Sequence, residues 1–385
     1  MRRTTIIPRA DWRPGLRKYS FGAAASPAGE RWSEEIRYDF SPHQIDLIES
    51  VADEVHVMVR GAVRHVMEER LLPRLGVQGD IARLTETTWH EYWRGGVVND
   101  RAGGLVGRLT FAYDGRDSLK LLSCNYDVPD GLFIAAIIQR NWLELQGPRY
   151  DQFNGLHVAL VERWEEINDG RPLHLTCLTP DPAREGELYY LSATAAEAGL
   201  STTLLALQDI RWDGSRFRDH ERAVISRLVK LYPWSAMAED AYARSLRLGA
   251  MGVVEPAWRW LMSNHGLLPL LWQIHPRHPN LCRAAADPAA LSGCDVLLAR
   301  GFFGLDHART RILVHGQVVT DSAPGEPVAG PEVWMDMPPL FEHDKGYAVV
   351  DAWIVGEKCM GMSIRESNDP RLGPESRVVP HILKG

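Results

Sequence analysis

Residues that could do chemistry are spread along this chain and form no single motif. His275 and His278 stand three apart in a His-Pro-Arg-His segment, a spacing at which two imidazoles can share a metal ion. The plainer reading is a proline-ordered turn in which both rings are structural. His265 follows Ser263-Asn264 and carries a ring that titrates near neutral pH. It reads equally as a satisfied polar residue at a helix end. Glu185 and Glu187 place two carboxylates ahead of an apolar run, where a helix N-terminus favours negative charge. Gly301 to Gly304 is a glycine-flanked loop of the kind that covers phosphates, but two phenylalanines make it a weak version. No Walker A sequence, GxSxG or dinucleotide fingerprint occurs. The five cysteines are odd in number and include no CxxC. That pattern argues against a zinc site or disulfide framework. It suggests small buried hydrophobes in a reducing, cytoplasmic setting.

The elements that must position these residues are partly legible. Ser41 precedes Pro42 and an amphipathic run in which Val51, Val55, Val59, Val63 and Val66 recur at helical spacing. Ser41 as N-cap with proline at the first helical position predicts a helix from there to about Leu72, ended by Pro73. Asp114-Gly115 between two strand-like runs predicts a hairpin. Leu132–Leu145 then reads as a helix. Further on, His174–Leu178 reads as a strand, Leu188–Ala198 as a helix stopped by Gly199, and Thr202–Ile210 as a strand. Strand, helix, strand predicts a small parallel sheet. From Ala223 to Leu281 helices and proline turns alternate, and the remainder is mostly strand-like.

The chain has 385 residues, of which 45% are hydrophobic and 24% charged, with a net charge of −7. This is an ordinary globular composition without the basic footprint of a nucleic-acid binder. No run approaches the roughly 18 apolar residues of a membrane helix. The first residues have two arginines but no apolar run behind them, unlike a secretory leader.

A set of short segments, in order along nearly the whole chain, resembles the glutathionylspermidine synthetase family. They include Gly107-Arg108, Asn125 with Asp127 and Pro129, Asp151-Gln152-Phe153-Asn154, Lys230-Leu231-Tyr232-Pro233-Trp234, Glu255-Pro256-Ala257-Trp258, Ser263-Asn264, Ile364-Arg365-Glu366 and Pro380-His381-Ile382. The resemblance is to stand-alone synthetase-like proteins. It implies an α+β or α/β ATP-grasp-like core with a small preceding α/β subdomain. The chain would be one such unit, with approximate subregions 1–160, 161–222 (the small βαβ part) and 223–385 (the ATP-grasp-like part). It also implies a reaction joining a carboxylate to an amine through an acyl phosphate, with ATP and Mg²⁺. The partners would be small-molecule carboxylates and amines, and neither nucleic acid nor membrane.

Carried over residue by residue, the resemblance is uneven. Arg108 and Arg365 fall on catalytic arginines, and Arg300 on a nucleotide-binding lysine. His265 stands where the family has another nucleotide-binding lysine. The two carboxylate ligands of magnesium fall on Thr110 and Ser123, while Asn125 matches a third ligand. Asn125 reads equally as a cap on the turn toward Pro129. Glu185 and Glu187 lie where the family holds the polyamine, with Asp127 a further acidic candidate for substrate binding. Leu305 replaces an arginine expected to contact glutathione, so glutathione is not the expected substrate. Two readings follow. One is an ATP-dependent ligase of altered specificity. The other is a degenerate ATP-grasp pseudoenzyme, or a repurposed enzyme, that no longer uses Mg-ATP.

Overall fold

The structure is a computed structural model that describes residues 1–17, 25–26, 29–240, 243–248, 251–303, 309–326, 330–344, 346–373 and 375–384. Leu305 and the possible compensating carboxylate Asp306 lie outside them.

The longest helix, Pro42–Glu68, starts as its sequence dictates. Ser41 Oγ accepts the Gln44 N–H at 3.3 Å, and Gln44 Oε1 accepts the Ser41 N–H at 3.1 Å. This reciprocal box satisfies two N–H groups that the first turn leaves open. The helix stops before Leu72, and Leu72–Leu75 forms a separate 3-10 turn around Pro73. Its buried face, including Ile48, Val51, Val55 and Val59, packs on a six-stranded antiparallel sheet.

That sheet runs in the order Arg377–Val379, Lys358–Ser367, Gly346–Val355, Val106–Tyr113, Leu119–Asn125, with Phe341–His343 pairing alongside Gly346–Val355. Its two central strands come from distant parts of the chain. The Asp114-Gly115 hairpin forms as the sequence predicts. Gly115 takes φ +82°, which glycine adopts without strain. Asp114 Oδ1 accepts the N–H groups of Arg116 and Ser118 at 2.8 and 3.0 Å.

A smaller parallel sheet has the order Thr202–Ala206, Leu173–Cys177, Arg227–Leu231, Gly252–Val254. The helix Pro182–Glu197 makes the first crossover. It begins before the apolar run because Asp181 caps it, accepting the Arg184 N–H at 3.1 Å, with Pro182 behind it. Strands from both sides of residue 222 share this sheet. The Leu132–Leu145 run is helical but contains a π segment at Ile134–Ile138.

A third, antiparallel sheet orders Ala284–Ala285, Glu332–Asp336, Val296–Gly301, Thr310–Val314 and Gln317–Asp321. It stands across a narrow cavity from the six-stranded sheet. No helix among the described residues is long and apolar enough to cross a membrane. All five cysteines are free thiols, and Cys124, Cys177 and Cys359 are buried.

Candidate active site

Pleating gives the six-stranded sheet two unlike faces, because alternate residues point opposite ways. Leu109, Phe111, Val350, Ala352 and Ile364 belong to the apolar core. The residues between them are polar. Cross-strand register sets Thr110 beside both Ser123 and Asp351, and Asp351 beside Ser363. One step along, Arg108 pairs with Asn125 and Trp353. Gly107 is required here, since any Cβ would run into the Tyr126 ring.

Asp351 is the hub of this face. Its Oδ1 accepts the Thr110 hydroxyl at 2.7 Å. Arg365 donates through Nε to Oδ2 at 2.6 Å and through Nη2 to Oδ1 at 3.0 Å. Arg365 Nη2 also reaches Thr110 Oγ1 at 3.3 Å. Arg108 Nε lies 3.8 Å from Asp351 Oδ1, and its Nη1 donates to the Asp130 carbonyl and carboxylate at 2.8 and 3.0 Å. Partial burial opposes ionisation of Asp130, but Arg31, Arg108 and Arg365 hold its carboxyl well below the usual range.

Between the two antiparallel sheets, Thr110, Ser123 and Arg365 face His265, Arg300 and Thr310 across a cavity closed by Arg371 and Leu372. The cavity is about 20 Å³, room for one water. His265 is fixed by its neighbour strand: its N–H donates to the Phe302 carbonyl at 3.0 Å, and its Nδ1 lies 2.8 Å from the Gly301 carbonyl. Arg300 Nη1 donates to the Leu122 carbonyl at 3.3 Å. Arg108, Thr110, Ser123, His265, Arg300 and Arg365 thus come together in this region.

The remaining candidates go elsewhere. Asn125 closes its own turn: Oδ1 accepts the N–H groups of Asp127 and Val128 at 3.3 and 3.1 Å, and Nδ2 donates to the Val128 carbonyl at 3.0 Å. Asp127 and Glu187 line a second small cavity with Lys230 and Glu255. Lys230 Nζ donates to Asp127 Oδ1 at 2.5 Å, and the Trp234 N–H donates to Oδ2 at 2.8 Å. Burial lowers the Lys230 pKa, opposed by Asp127. Glu187 accepts the N–H groups of Gly131 and Phe133 at 2.8 and 2.9 Å. Burial nonetheless pushes its carboxyl up to about 7. Glu185 stays at its helix start, where it accepts the Asp181 N–H at 3.0 Å.

Sequence reasoning missed Asp351, Thr310 and Arg371. Asp351 carried a signal: a lone carboxylate inside Tyr-Ala-Val-Val-Asp-Ala-Trp-Ile-Val. A charge in a buried strand needs a partner.

Whether Mg²⁺ fits can be judged from the donors. Mg²⁺ takes oxygen ligands at about 2.0–2.1 Å, usually including one or two carboxylates. Here Thr110 and Ser123 offer neutral hydroxyls, the Asn125 amide is used by its turn, and both Asp351 oxygens are held by Arg365 and Thr110. Among the described residues no group of three or more His, Cys, Asp or Glu side chains could hold a metal. The described residues around Thr110 and Ser123 do not by themselves fit a magnesium site.

Residues 3–384 match the family described as glutathionylspermidine synthase preATP-grasp. The chain belongs to this family. Membership gives it an ATP-grasp-type fold in a mixed α/β chain with several sheets. A Haemophilus influenzae protein, provisionally named an acid–amine ligase, is 28% identical over 402 residues and aligns over 100% of both chains. The Crithidia fasciculata trypanothione synthetase is 24% identical over 71% of this chain. The Escherichia coli bifunctional glutathionylspermidine synthetase/amidase is 23% identical over 86% of it. This chain spans 46% and 56%, respectively, of those two longer family members. A Methylobacillus flagellatus crystal structure, provisionally named a gamma-glutamylcysteine synthetase, shares 12% identity at a TM-score of 0.48. It covers 81% of this chain and 82% of its own.

Proposed function

We propose that this protein is an ATP-dependent acid–amine ligase of altered specificity whose carboxylate substrate is not glutathione. The observation that carries the reading is the convergence of Arg300, Arg365 and Arg371 on one cavity between two antiparallel sheets. Phosphoryl transfer asks little of a protein beyond positioning and positive charge against the phosphate oxygens. In the reaction, a substrate carboxylate oxygen attacks the γ-phosphorus of ATP, the bond to the β–γ bridging oxygen breaks, and ADP leaves. The amine nitrogen then attacks the acyl carbon, inorganic phosphate leaves, and the nitrogen loses a proton. Arg108 and Arg365 are the proposed stabilisers of the transferring group, and Arg300 and His265 the nucleotide contacts. Asp127 and Glu187, in the second cavity, are the proposed amine contacts, with Glu185 nearby on the same helix. Thr110 and Leu305, in place of the family's aspartate and arginine, support a substrate other than glutathione. Five free thiols accord with a reducing, cytoplasmic setting.

The test is ADP release that requires both an added carboxylate and an added amine, with the amide identified by mass. Absence of any such pair across amino acids, small peptides and polyamines would sink the reading. A second reading, a family member that has lost ATP turnover, is favoured by the closed Thr110–Asp351–Arg365 contact. Magnesium-dependent ATP turnover by the unmodified protein would rule it out.

A further inference from the structure

The geometry points to a further binding site at the amino ends of the parallel sheet, one that takes a small organic anion with an apolar body. The site is separate from the cavities of the ligase reading and does not depend on that reading.

Arg227 and Gly252 open the strands Arg227–Leu231 and Gly252–Val254, and Arg171 stands just ahead of Leu173–Cys177. All three line a cavity of about 460 Å³ that residues of the helices Gly79–Tyr92 and Ala243–Leu248 also wall. Pockets that hold small molecules commonly run from about 300 to 1,000 Å³. The cavity of Asp127, Glu187 and Lys230 lies at the other ends of these strands, against Leu231 and Glu255. Val254 lines both cavities.

Ile167, Trp234, Leu246 and Ala257 give the amino-end cavity a buried apolar lining. Gly252 keeps space open beside them, since a Cβ there would meet nothing nearer than Arg171 Nη2 at 3.6 Å. Among the described residues Arg94, Arg101, Arg171, Arg227 and Arg247 line the cavity, against the carboxylates of Glu91 and Asp169. Positive charge thus gathers here in a chain whose net charge is −7.

The arginines are not all spent on neighbours. Asp169 engages two of them: Arg171 Nε donates to Oδ2 at 2.8 Å and Arg227 Nη1 to Oδ1 at 3.2 Å. Arg247 Nε donates to Asp80 at 3.2 Å. The guanidiniums of Arg94 and Arg101 make no hydrogen bond or ion pair among the described residues. One local unit carries both. Gly95 and Gly96, at φ +58° and +91°, turn the short hairpin of Trp93–Arg94 with Val97–Val98, and the 3-10 turn Asp100–Ala102 follows. Guanidiniums offer paired N–H donors to carboxylate or phosphate oxygens. An apolar lining under such donors suits an aromatic or aliphatic body that ends in one of these groups.

The experiment is saturation-transfer NMR on the full chain with phenyl phosphate, with benzoate, and with benzyl alcohol as the uncharged control. The proteins are the wild type, Arg94→Gln/Arg101→Gln and Gly252→Leu. The expected result is a dissociation constant below about 10 mM for at least one anion, with benzyl alcohol not binding in that range. The tighter anion tells a phosphate ligand from a carboxylate. Affinity should fall about tenfold or more in the double variant, and Gly252→Leu, which fills the cavity, should abolish binding. The melting temperature of each variant separates lost binding from lost folding. Arg94 and Arg101 are exposed, so the double variant decides the matter if Gly252→Leu does not fold. No binding of either anion overturns the inference. So does binding that a folded variant leaves unchanged, which would put the anion elsewhere. Benzyl alcohol binding as tightly as the anions overturns it too.

Discussion

Arg365 grips Asp351 through two N–H groups at 2.6 and 3.0 Å, and both residues are buried. The contact joins two neighbouring strands of the six-stranded sheet, and the Thr110 hydroxyl extends it to a third. Arg365, the proposed stabiliser of the transferring group, is therefore held in place by a carboxylate of this chain.

Removing that carboxylate takes its bidentate partner from a buried guanidinium. Asp351→Ala is expected to cost about 3–5 kcal/mol, the usual penalty for breaking one side of a buried pair. Asp351→Asn keeps an acceptor for Thr110 and should cost less. Urea denaturation of both variants measures this. A loss under about 1 kcal/mol in Asp351→Ala would show that the pair is not coupled to folding.

Restoring carboxylates should create a metal site that the parent lacks. Thr110 and Ser123 are directly paired on adjacent strands, so Thr110→Asp with Ser123→Glu places two carboxylates side by side next to Asp351. Their mutual repulsion should lower the melting temperature in EDTA, and Mg²⁺ should recover it. The parent should not respond to Mg²⁺. Equal responses in parent and double variant would contradict this.

Asn125 distinguishes a turn cap from a metal ligand. Its three side-chain hydrogen bonds all lie within the turn to Val128. Asn125→Ala is expected to cost about 1–2 kcal/mol of stability, and the loss should be the same with Mg²⁺ or EDTA. A loss that appears only when Mg²⁺ is present would instead mark Asn125 as a ligand.

Two buried groups should tilt stability with pH in opposite directions. Burial raises Glu187 to about 7, above its unfolded value of about 4.3. The folded state therefore binds more protons between these values. Its contribution is fully present below about pH 4 and is lost as pH rises through about 7. Burial lowers His381 to about 3, below its unfolded value of about 6.5. The unfolded state binds more protons in that window, so this contribution is present above about pH 6.5 and lost as pH falls toward 3. Relative to wild type, Glu187→Gln should gain stability between pH 5 and 7, and His381→Gln should gain it between pH 6 and 4, as read by denaturant midpoints. Parallel curves for wild type and either variant would remove that group from the account.

Local chemistry made much of the frame legible. Ser41 with Pro42, Asp114-Gly115 and Gly199 act within a few residues of where they stand, and each marks the boundary it should. Asp181-Pro182 carried the same kind of signal for a helix start that the apolar run alone placed too late. The site was legible only through family resemblance, which brought Arg108, Thr110, Ser123, Arg300 and Arg365 into view. Asp351 could be suspected as a charge in an apolar strand, but its partners depend on register between strands far apart in sequence. Arg371 was hidden for another reason: its place depends on a left-handed leucine, which no composition rule anticipates.

The strand order of the six-stranded sheet has a consequence for how the protein is made. Phe111 pairs with Val350, about 240 residues later in the chain. At roughly 5–20 residues per second on a ribosome, the Val106–Tyr113 edge waits roughly 10–50 s for that neighbour. During this interval an apolar strand edge is open to any other nascent or misfolded chain. The sheet that carries Arg108, Thr110 and Asp351 is therefore completed late in translation, and the need for a chaperone should centre on residues 106–125.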